Sequence, residues 1–241
     1  RQMCIRDSIH AIQEDKTSYS HNKGLPETRQ AISQYFKNKY GFYYSEEEII
    51  VTNGASEALD TSLRSIIEPG DEILIPGPIY AGYIPLIETL GGQPIYIDTT
   101  NSNFKVTPEL IAQHITTKTK AILLNYPTNP TGVILEREEV EALVNELKDR
   151  EIFIISDEIY AENTFKGQHT SFAEYQEIRD QLLLIGGLSK SHSATGIRIG
   201  FLIGPEYLIE KLTFMHAYNC ICANVPAQIA CITALTEGLN A

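Results

Sequence analysis

The sequence predicts an α/β protein, a three-layer sandwich in which helices cover both faces of a mainly parallel central sheet. Three observations carry this prediction. Runs such as EILIP (72–76), KAILLNYP (120–127) and IFIISDEIY (152–160) are dense in Ile, Leu and Val instead of alternating, as strands buried on both faces must be. Segments with apolar residues at helical spacing lie between these runs, so strand and helix alternate along the chain. Polar residues interrupt the runs at their carboxyl ends, where sheets of this class bind ligands.

Taken in order, residues 1–8 (RQMCIRDS) fit no element of the pattern. PETRQAISQYFKNKYG starts a helix at Pro26, a residue suited to the first turn, and Gly41 stops it. IIVTNG (49–54) is a short buried strand ending in a glycine turn, and ASEALDTSLRSII is the helix after it, up to the PGD turn at 69–71. EILIP follows as a strand, then IYAGYIPLIETLGG as a helix interrupted by Pro85, PIYID (94–98) as a strand and TPELIAQHI as a short helix. KAILLNYP runs into the turn-rich PTNPTG. EREEVEALVNELKDR (136–150) is amphipathic and opens with acids, which suits the positive end of a helix. IFIISDEIY is a strand, apolar until its end, and VPAQIACITALTEG reads as a helix still in progress. No repeat, low-complexity tract or linker divides residues 17–241, which are expected to form one domain after a 1–16 segment of uncertain origin.

The 241 residues suffice for a real core, with about 70–75% of the unfolded chain's surface buried. A net charge of −12 argues against nucleic acid, whose phosphates call for a basic face. No apolar run nears the roughly 20 residues of a membrane span, and no apolar core follows the N-terminal charges as in a signal peptide. Cys4, Cys220, Cys222 and Cys231 form no CxxC pair, and the spacing of Cys220 and Cys222 suits no common zinc knuckle. No metal site is expected, and idle thiols point to a reducing, cytoplasmic setting. Both ends look cut, so the chain reads as a fragment.

The stretch LSKSHSATGIRIGF (188–201) carries the chemistry. Lys190 stands eight residues before Arg198, between the apolar runs LLLIGG (182–187) and IGFLIG (199–204). A lysine entering between two buried strands is expected to lose hydration, which lowers its pKa and makes the neutral amine available. Such an amine forms a Schiff base with an aldehyde. The rigid donor fork of an arginine suits a phosphate. Pyridoxal 5'-phosphate (PLP) is an aldehyde that carries a phosphate. A surface lysine and a structural arginine would show the same spacing, so the other residues matter.

Gly54-Ala55-Ser56-Glu57 joins a strand to a helix, where free N–H groups and the helix dipole can grip a phosphate, or where Ser56 simply sits near a cap. Asp157 ends a buried strand, a costly place for a carboxylate without a cationic or donor partner. It can pair with a protonated pyridine nitrogen, or serve as a cap or salt bridge. Tyr160 and Asn129 (YPTNPTG) can donate to the phenolic oxygen of the same ring, although Asn-Pro also favours a plain turn. Tyr80 (PIYAGY) can stack on a flat ring or pack in a core.

NPTG, DExY and SKxxxxxGxRxG in this order resemble the fold-type I PLP-dependent aminotransferases of class I/II, over residues 17–240. The resemblance implies a PLP-binding large domain and assigns Lys190, Asp157 and Tyr160 as catalytic. It implies that Lys190 carries the Schiff base, Arg198 holds phosphate, Asp157 partners the pyridine nitrogen, and Tyr160 and Asn129 partner the ring hydroxyl. Tyr80 stacks, Ala55 and Ser56 cradle phosphate, and Ser189 adds a contact where many members use the position of Gly187. Tyr19, in YSHNKGLPETR, reaches the phosphate of a partner subunit, which implies a homodimer. Asn129–Pro130 matches a position often cis in the family. The substrates implied are an amino acid and a 2-oxo acid, often 2-oxoglutarate, in a ping-pong transfer. The arginine for the substrate carboxylate belongs to a C-terminal small domain outside these residues. KSHSATGIRIGFLIGP looks most like members acting on N-acetyl-diaminopimelate or aromatic amino acids. A carbon–sulfur β-lyase, an aminocyclopropane carboxylate synthase, or the PLP-sensing domain of a transcription regulator would share the same residues.

Overall fold

Dense β-branched runs need partners on both edges and both faces, and the structure provides them as a mixed, mostly parallel sheet flanked by helices. The computed structural model describes residues 2–237. The fold class is α/β, as predicted, and the chain divides into two compact units, Ser62–Leu184 and Arg1–Thr61 with Ile185–Ala241.

The central unit, Ser62–Leu184, holds strands β2 (Glu72–Gly77), β3 (Gln93–Asp98), β4 (Thr119–Asn125) and β5 (Phe153–Asp157). They pair in the order β5-β4-β2-β3, all parallel, with Ala121 opposite Phe153 and Asn125 opposite Asp157. β4 is buried from Ala121 to Asn125 and β5 from Ile154 to Asp157, which accounts for their unbroken apolar sequences. β3 lies at the edge and is half exposed. Helices α4 (Tyr83–Thr89), α5 (Pro108–His114) and α6 (Arg137–Leu147) connect the strands. The side chain of Thr107 accepts the Leu110 N–H to start α5, and Glu136 and Glu139 form a reciprocal capping pair at α6. β5 ends at Asp157, three residues short of the run read as strand, because Ala161–Asn163 turns as a 3-10 helix.

The second unit contains α1 (Gln2–Gln13), α2 (Pro26–Tyr40), β1 (Ile49–Thr52), the start of α3 (Ala55–Ile66), β7 (Gly200–Ile203), α8 (Glu206–Cys220) and α9 (Val225–Thr236). α2 begins at Pro26 and ends on Gly41 at φ 77°, as predicted. β6 (Leu182–Gly187) carries the chain between the units and neighbours β7, and β7 neighbours β1. β1 and β7 pair antiparallel, Ile49 opposite Ile203 and Thr52 opposite Gly200, unlike the parallel pairs of the central unit.

Two helices depart from the sequence reading. Residues 2–13 form α1, whose Ala11 is buried and which packs on α9, so tertiary contact holds a segment that fits no local pattern. α8 has mixed faces with little helical periodicity, and its Leu208, Ile209, Leu212 and His216 are buried.

Gly200 explains a glycine of the GxRxG motif. A Cβ there would stand 2.5 Å from the Ala55 nitrogen and 2.5 Å from the Gly54 carbonyl carbon, so the strand and the start of α3 approach backbone to backbone. Gly200→Ala is therefore expected to lower stability by about 1–3 kcal/mol in urea denaturation. Gly196→Ala, where the added methyl meets nothing within 4 Å, should stay within about 0.5 kcal/mol of the parent.

Candidate active site

In the central unit the catalytic candidates gather at the carboxyl ends of β4 and β5. Asp157 is buried. Its Oδ2 accepts a hydrogen bond from the Tyr83 hydroxyl at 2.7 Å, and its Oδ1 accepts the Ile159 N–H at 3.1 Å. Burial pushes the Asp157 carboxyl up to about 6, against the lowering effect of the two hydrogen bonds. The same burial, with the carboxylate beside it, pushes the Tyr83 hydroxyl well above its usual range, so it stays a donor. Both hydrogen-bond partners of Asp157 are neutral, leaving a dehydrated carboxylate whose charge suits a cationic ligand.

Asn125 and Asn129 build the neighbouring turn. Asn125 Nδ2 donates to the Asp157 carbonyl at 2.9 Å, and Asn125 Oδ1 accepts the Asn129 N–H at 3.0 Å. One side chain thus ties the NPTG turn to the end of β5. Asn129 Nδ2 lies 3.5 Å from the Tyr160 hydroxyl, so the two predicted ring-hydroxyl partners are brought together. Asn129–Pro130 is cis, as the resemblance implies, and so are Gly77–Pro78 and Tyr126–Pro127. Tyr80 is half exposed and meets the Tyr83 ring edge-on at 5.4 Å.

The acid after Asp157 has a structural task. Glu158 is buried, with Oε2 2.6 Å from His169 Nε2 and Oε1 accepting from Ser156 Oγ at 2.9 Å and from the Phe172 N–H at 3.1 Å. Burial pulls His169 down, but the attraction of Glu158 outweighs it and the net shift is upward. This pair clamps the chain that leaves β5.

The second unit holds the lysine and the phosphate candidates. Lys190 lies on α7 (Leu188–Ser191), a single helical turn after β6, and it is exposed. The expectation of a dehydrated amine between two strands does not hold for this chain. The strand has ended at Gly187, and it is Leu188 that turns into the core. Ser189 precedes it, half-buried. Ser191 Oγ lies 2.8 Å from His192 Nδ1, and His192 Nε2 donates to the Ala234 carbonyl at 3.1 Å, which fixes α7 to α9.

Arg198, at φ 59°, folds back over the start of α3. Its Nη1 donates to the Thr195 carbonyl at 2.9 Å and its Nη2 to the Asn53 carbonyl at 3.3 Å. Gly54, at φ +90°, has no side chain because the guanidinium occupies the space a Cβ would need. Ala55 and Ser56 open α3, where first-turn N–H groups have no acceptor within the helix. The three phosphate candidates Arg198, Ala55 and Ser56 thus lie at one corner of the second unit. Tyr19 is 79% exposed, in a segment anchored where Gln228 Oε1 accepts the Leu25 N–H at 2.6 Å and Nε2 donates to Ser20 Oγ at 3.2 Å.

Reasoning from sequence missed Tyr83, Asn125 and the Glu158–His169 pair. Tyr83 lies in the same PIYAGY motif as Tyr80, and the DE dipeptide at a strand end was the only signal for Glu158.

Because Asp157 titrates higher folded than the ordinary carboxylate, the native state holds its proton over a range in which the unfolded chain has lost it. The burial cost is therefore felt as pH rises from about 4 through about 6. Across that window the stability of the protein should fall relative to Asp157→Asn by about 2–3 kcal/mol. Paired urea titrations at pH 4 and pH 7, giving the same difference at both, would disprove this.

Comparison with known proteins adds the family. Residues 3–240 match the model for aminotransferase class I and II. The chain is 48% identical over 231 residues to a protein described as a probable N-acetyl-LL-diaminopimelate aminotransferase of Bacillus subtilis, covering 95% of this chain and 58% of that protein. It is 39% identical to the aspartate aminotransferase of Geobacillus stearothermophilus, over 94% of this chain and 58% of that one. The solved aspartate aminotransferase from Thermus thermophilus with maleate superposes with a TM-score of 0.94 at 30% identity, over 99% of this chain and 62% of that chain. The aromatic aminotransferase from Pyrococcus horikoshii gives 0.93 at 29%, over 98% and 64%. The chain thus spans about three fifths of the relatives it matches. By motif, by fold and by these similarities, the chain belongs to the aminotransferase class I and II family.

Proposed function

We propose that this protein is the PLP-binding part of an aminotransferase that moves an amino group from an amino acid to a 2-oxo acid. Asp157 is the observation that carries the reading: a buried carboxylate whose hydrogen-bond partners are neutral fits a protonated pyridine nitrogen. When bound, PLP supplies an electron sink for the charge left at the substrate Cα.

The residues divide the remaining work. Asp157 holds a proton on the ring nitrogen, and the Tyr83 hydroxyl keeps the carboxylate aligned. Tyr160 and Asn129 would donate to the ring hydroxyl oxygen, and Tyr80 would stack on the ring. Arg198, Ser189 and the N–H groups of Ala55 and Ser56 grip the phosphate, and Tyr19 of a partner subunit adds its hydroxyl in a homodimer. Lys190 would be the residue that holds the cofactor at its aldehyde. Its amine, when free, would serve as the general base and then the general acid for the substrate Cα proton. The acceptor is proposed to be 2-oxoglutarate and the setting cytoplasmic. The 48% identity to the Bacillus subtilis protein favours an N-acetyl-diaminopimelate type of donor over an aromatic one.

Mixing the protein with PLP should produce the visible absorption of a lysine-linked cofactor, and borohydride should leave a pyridoxyl group on Lys190 in a peptide map. Lys190→Ala should lose both while PLP fluorescence still reports binding. A pyridoxyl group on another lysine would refute the assignment. Incubation of the full-length protein with 2-oxoglutarate and a panel of amino acids that includes N-acetyl-diaminopimelate, scored by glutamate formed, identifies the donor, and no glutamate from any of them would refute the transfer.

A further inference from the structure

Beside the phosphate corner, three side chains with metal-binding chemistry meet in the second unit and take no part in the proposed reaction. Glu57 lies in the first turn of α3, and His216 and Cys220 stand four residues apart on one face of α8. Glu57 Oε1 lies 2.6 Å from His216 Nδ1 and 3.2 Å from Cys220 Sγ, and Cys220 Sγ lies 3.6 Å from His216 Nδ1. The His216 side chain is fully buried and that of Glu57 is 11% exposed. One carboxylate oxygen, one imidazole nitrogen and one sulfur atom all fall within 4.8 Å of one another.

We propose that Glu57, His216 and Cys220 form a binding site for a soft-to-borderline divalent cation, with Zn2+ as the physiological candidate. The donor set selects the metal class, since an O, N, S combination suits Zn2+ and Co2+ and excludes Mg2+ and Ca2+, which take oxygen alone. The dimensions suit it as well. Tetrahedral zinc holds N, O and S donors about 3.4–3.6 Å apart. The sulfur–nitrogen and sulfur–oxygen separations are near that range. Only the Glu57–His216 pair, now joined through a proton, has to part, by roughly 0.8 Å.

The proton balance is simple. The metal replaces the thiol proton of Cys220 and the proton on His216 Nδ1, which leaves Nδ1 free to ligate. Carboxylate and thiolate then neutralise the two positive charges of the ion, and water fills the fourth position. The ligands are pre-aimed from behind. Glu57 Oε2 accepts the Asn53 N–H at 2.6 Å, and Asn53 Oδ1 accepts the Asn224 N–H at 3.1 Å, so the carboxylate cannot swing away. Two helices supply all three ligands, a stiffer frame than a loop. The sequence hid the site because Glu57 is 159 residues from His216, and the neighbouring Cys220 and Cys222 drew attention to the wrong pair.

Co2+ added to the whole chain under reducing conditions, without PLP, tests this apart from any aminotransferase activity. One equivalent should bring up a near-ultraviolet thiolate-to-cobalt band that Zn2+ then abolishes. Cys220→Ser should remove the band and weaken Zn2+ binding at least about 100-fold in competition with a chromophoric chelator, and Cys222→Ser should leave both unchanged. In the unmutated protein Zn2+ should protect Cys220 from alkylation far more than Cys222, which does not depend on how the variants fold. No thiolate band, a band that survives Cys220→Ser, or equal alkylation of Cys220 with and without Zn2+ would each overturn the site.

Discussion

A carboxylate buried at the end of a parallel strand is the constraint on which the central unit depends. β4 and β5 are buried along their lengths, so the chain can place Asp157 in the core only by surrounding it with donors. Tyr83 and the Ile159 N–H hold its two oxygens, and Asn125 holds its carbonyl. Asn125 also positions Asn129, so satisfying the carboxylate and shaping the NPTG turn are one structural problem. The neighbouring Glu158 is solved separately, by His169, Ser156 and a backbone N–H. Two adjacent buried acids are thus partnered in different ways, one by an imidazole with a hydroxyl and a backbone N–H, the other by a phenol hydroxyl and a backbone N–H alone. That asymmetry singles out Asp157 as the acid with charge to spare for a ligand.

The second unit rests on a steric rule in place of an electrostatic one. Gly200 lets β7 press its backbone against the start of α3, and Gly54 leaves room for Arg198 to cross that turn. The guanidinium is then fixed by two carbonyls, those of Thr195 and Asn53. Preorganisation of this kind removes the ordering cost that a flexible arginine would meet on binding. Asn53 stands at the centre, since its N–H is held by Glu57 and its side chain by the Asn224 N–H. The same network that orients Arg198 also stands behind the proposed metal ligands, so the two features share a frame.

The most instructive departure is Lys190. Its flanking runs are apolar, and burial follows for Leu182 to Gly186 and for Ile199 to Ile203. The lysine nonetheless lies on a helical turn after the strand, with its side chain exposed. Apolar neighbours in sequence specify what happens to those neighbours. They do not carry a side chain four residues beyond a strand's core into the interior.

The sequence by itself determined the α/β class, most of the strands and the helices α2, α3, α5, α6 and α9, because solid β-branched runs, helical spacing, Pro at a first turn and Gly at a last are local signals. It also determined the identity of most candidate site residues, since the DExY, NPTG and SKxxxxxGxRxG motifs are short and ordered. Tertiary structure alone decided the rest. α1 exists because α9 covers it, β1 runs against β7, Tyr83 reaches Asp157 across 74 positions, and Glu57 meets His216 across 159. Each of these is a contact between residues far apart in the chain, and no local period encodes which distant partner will satisfy a buried polar group.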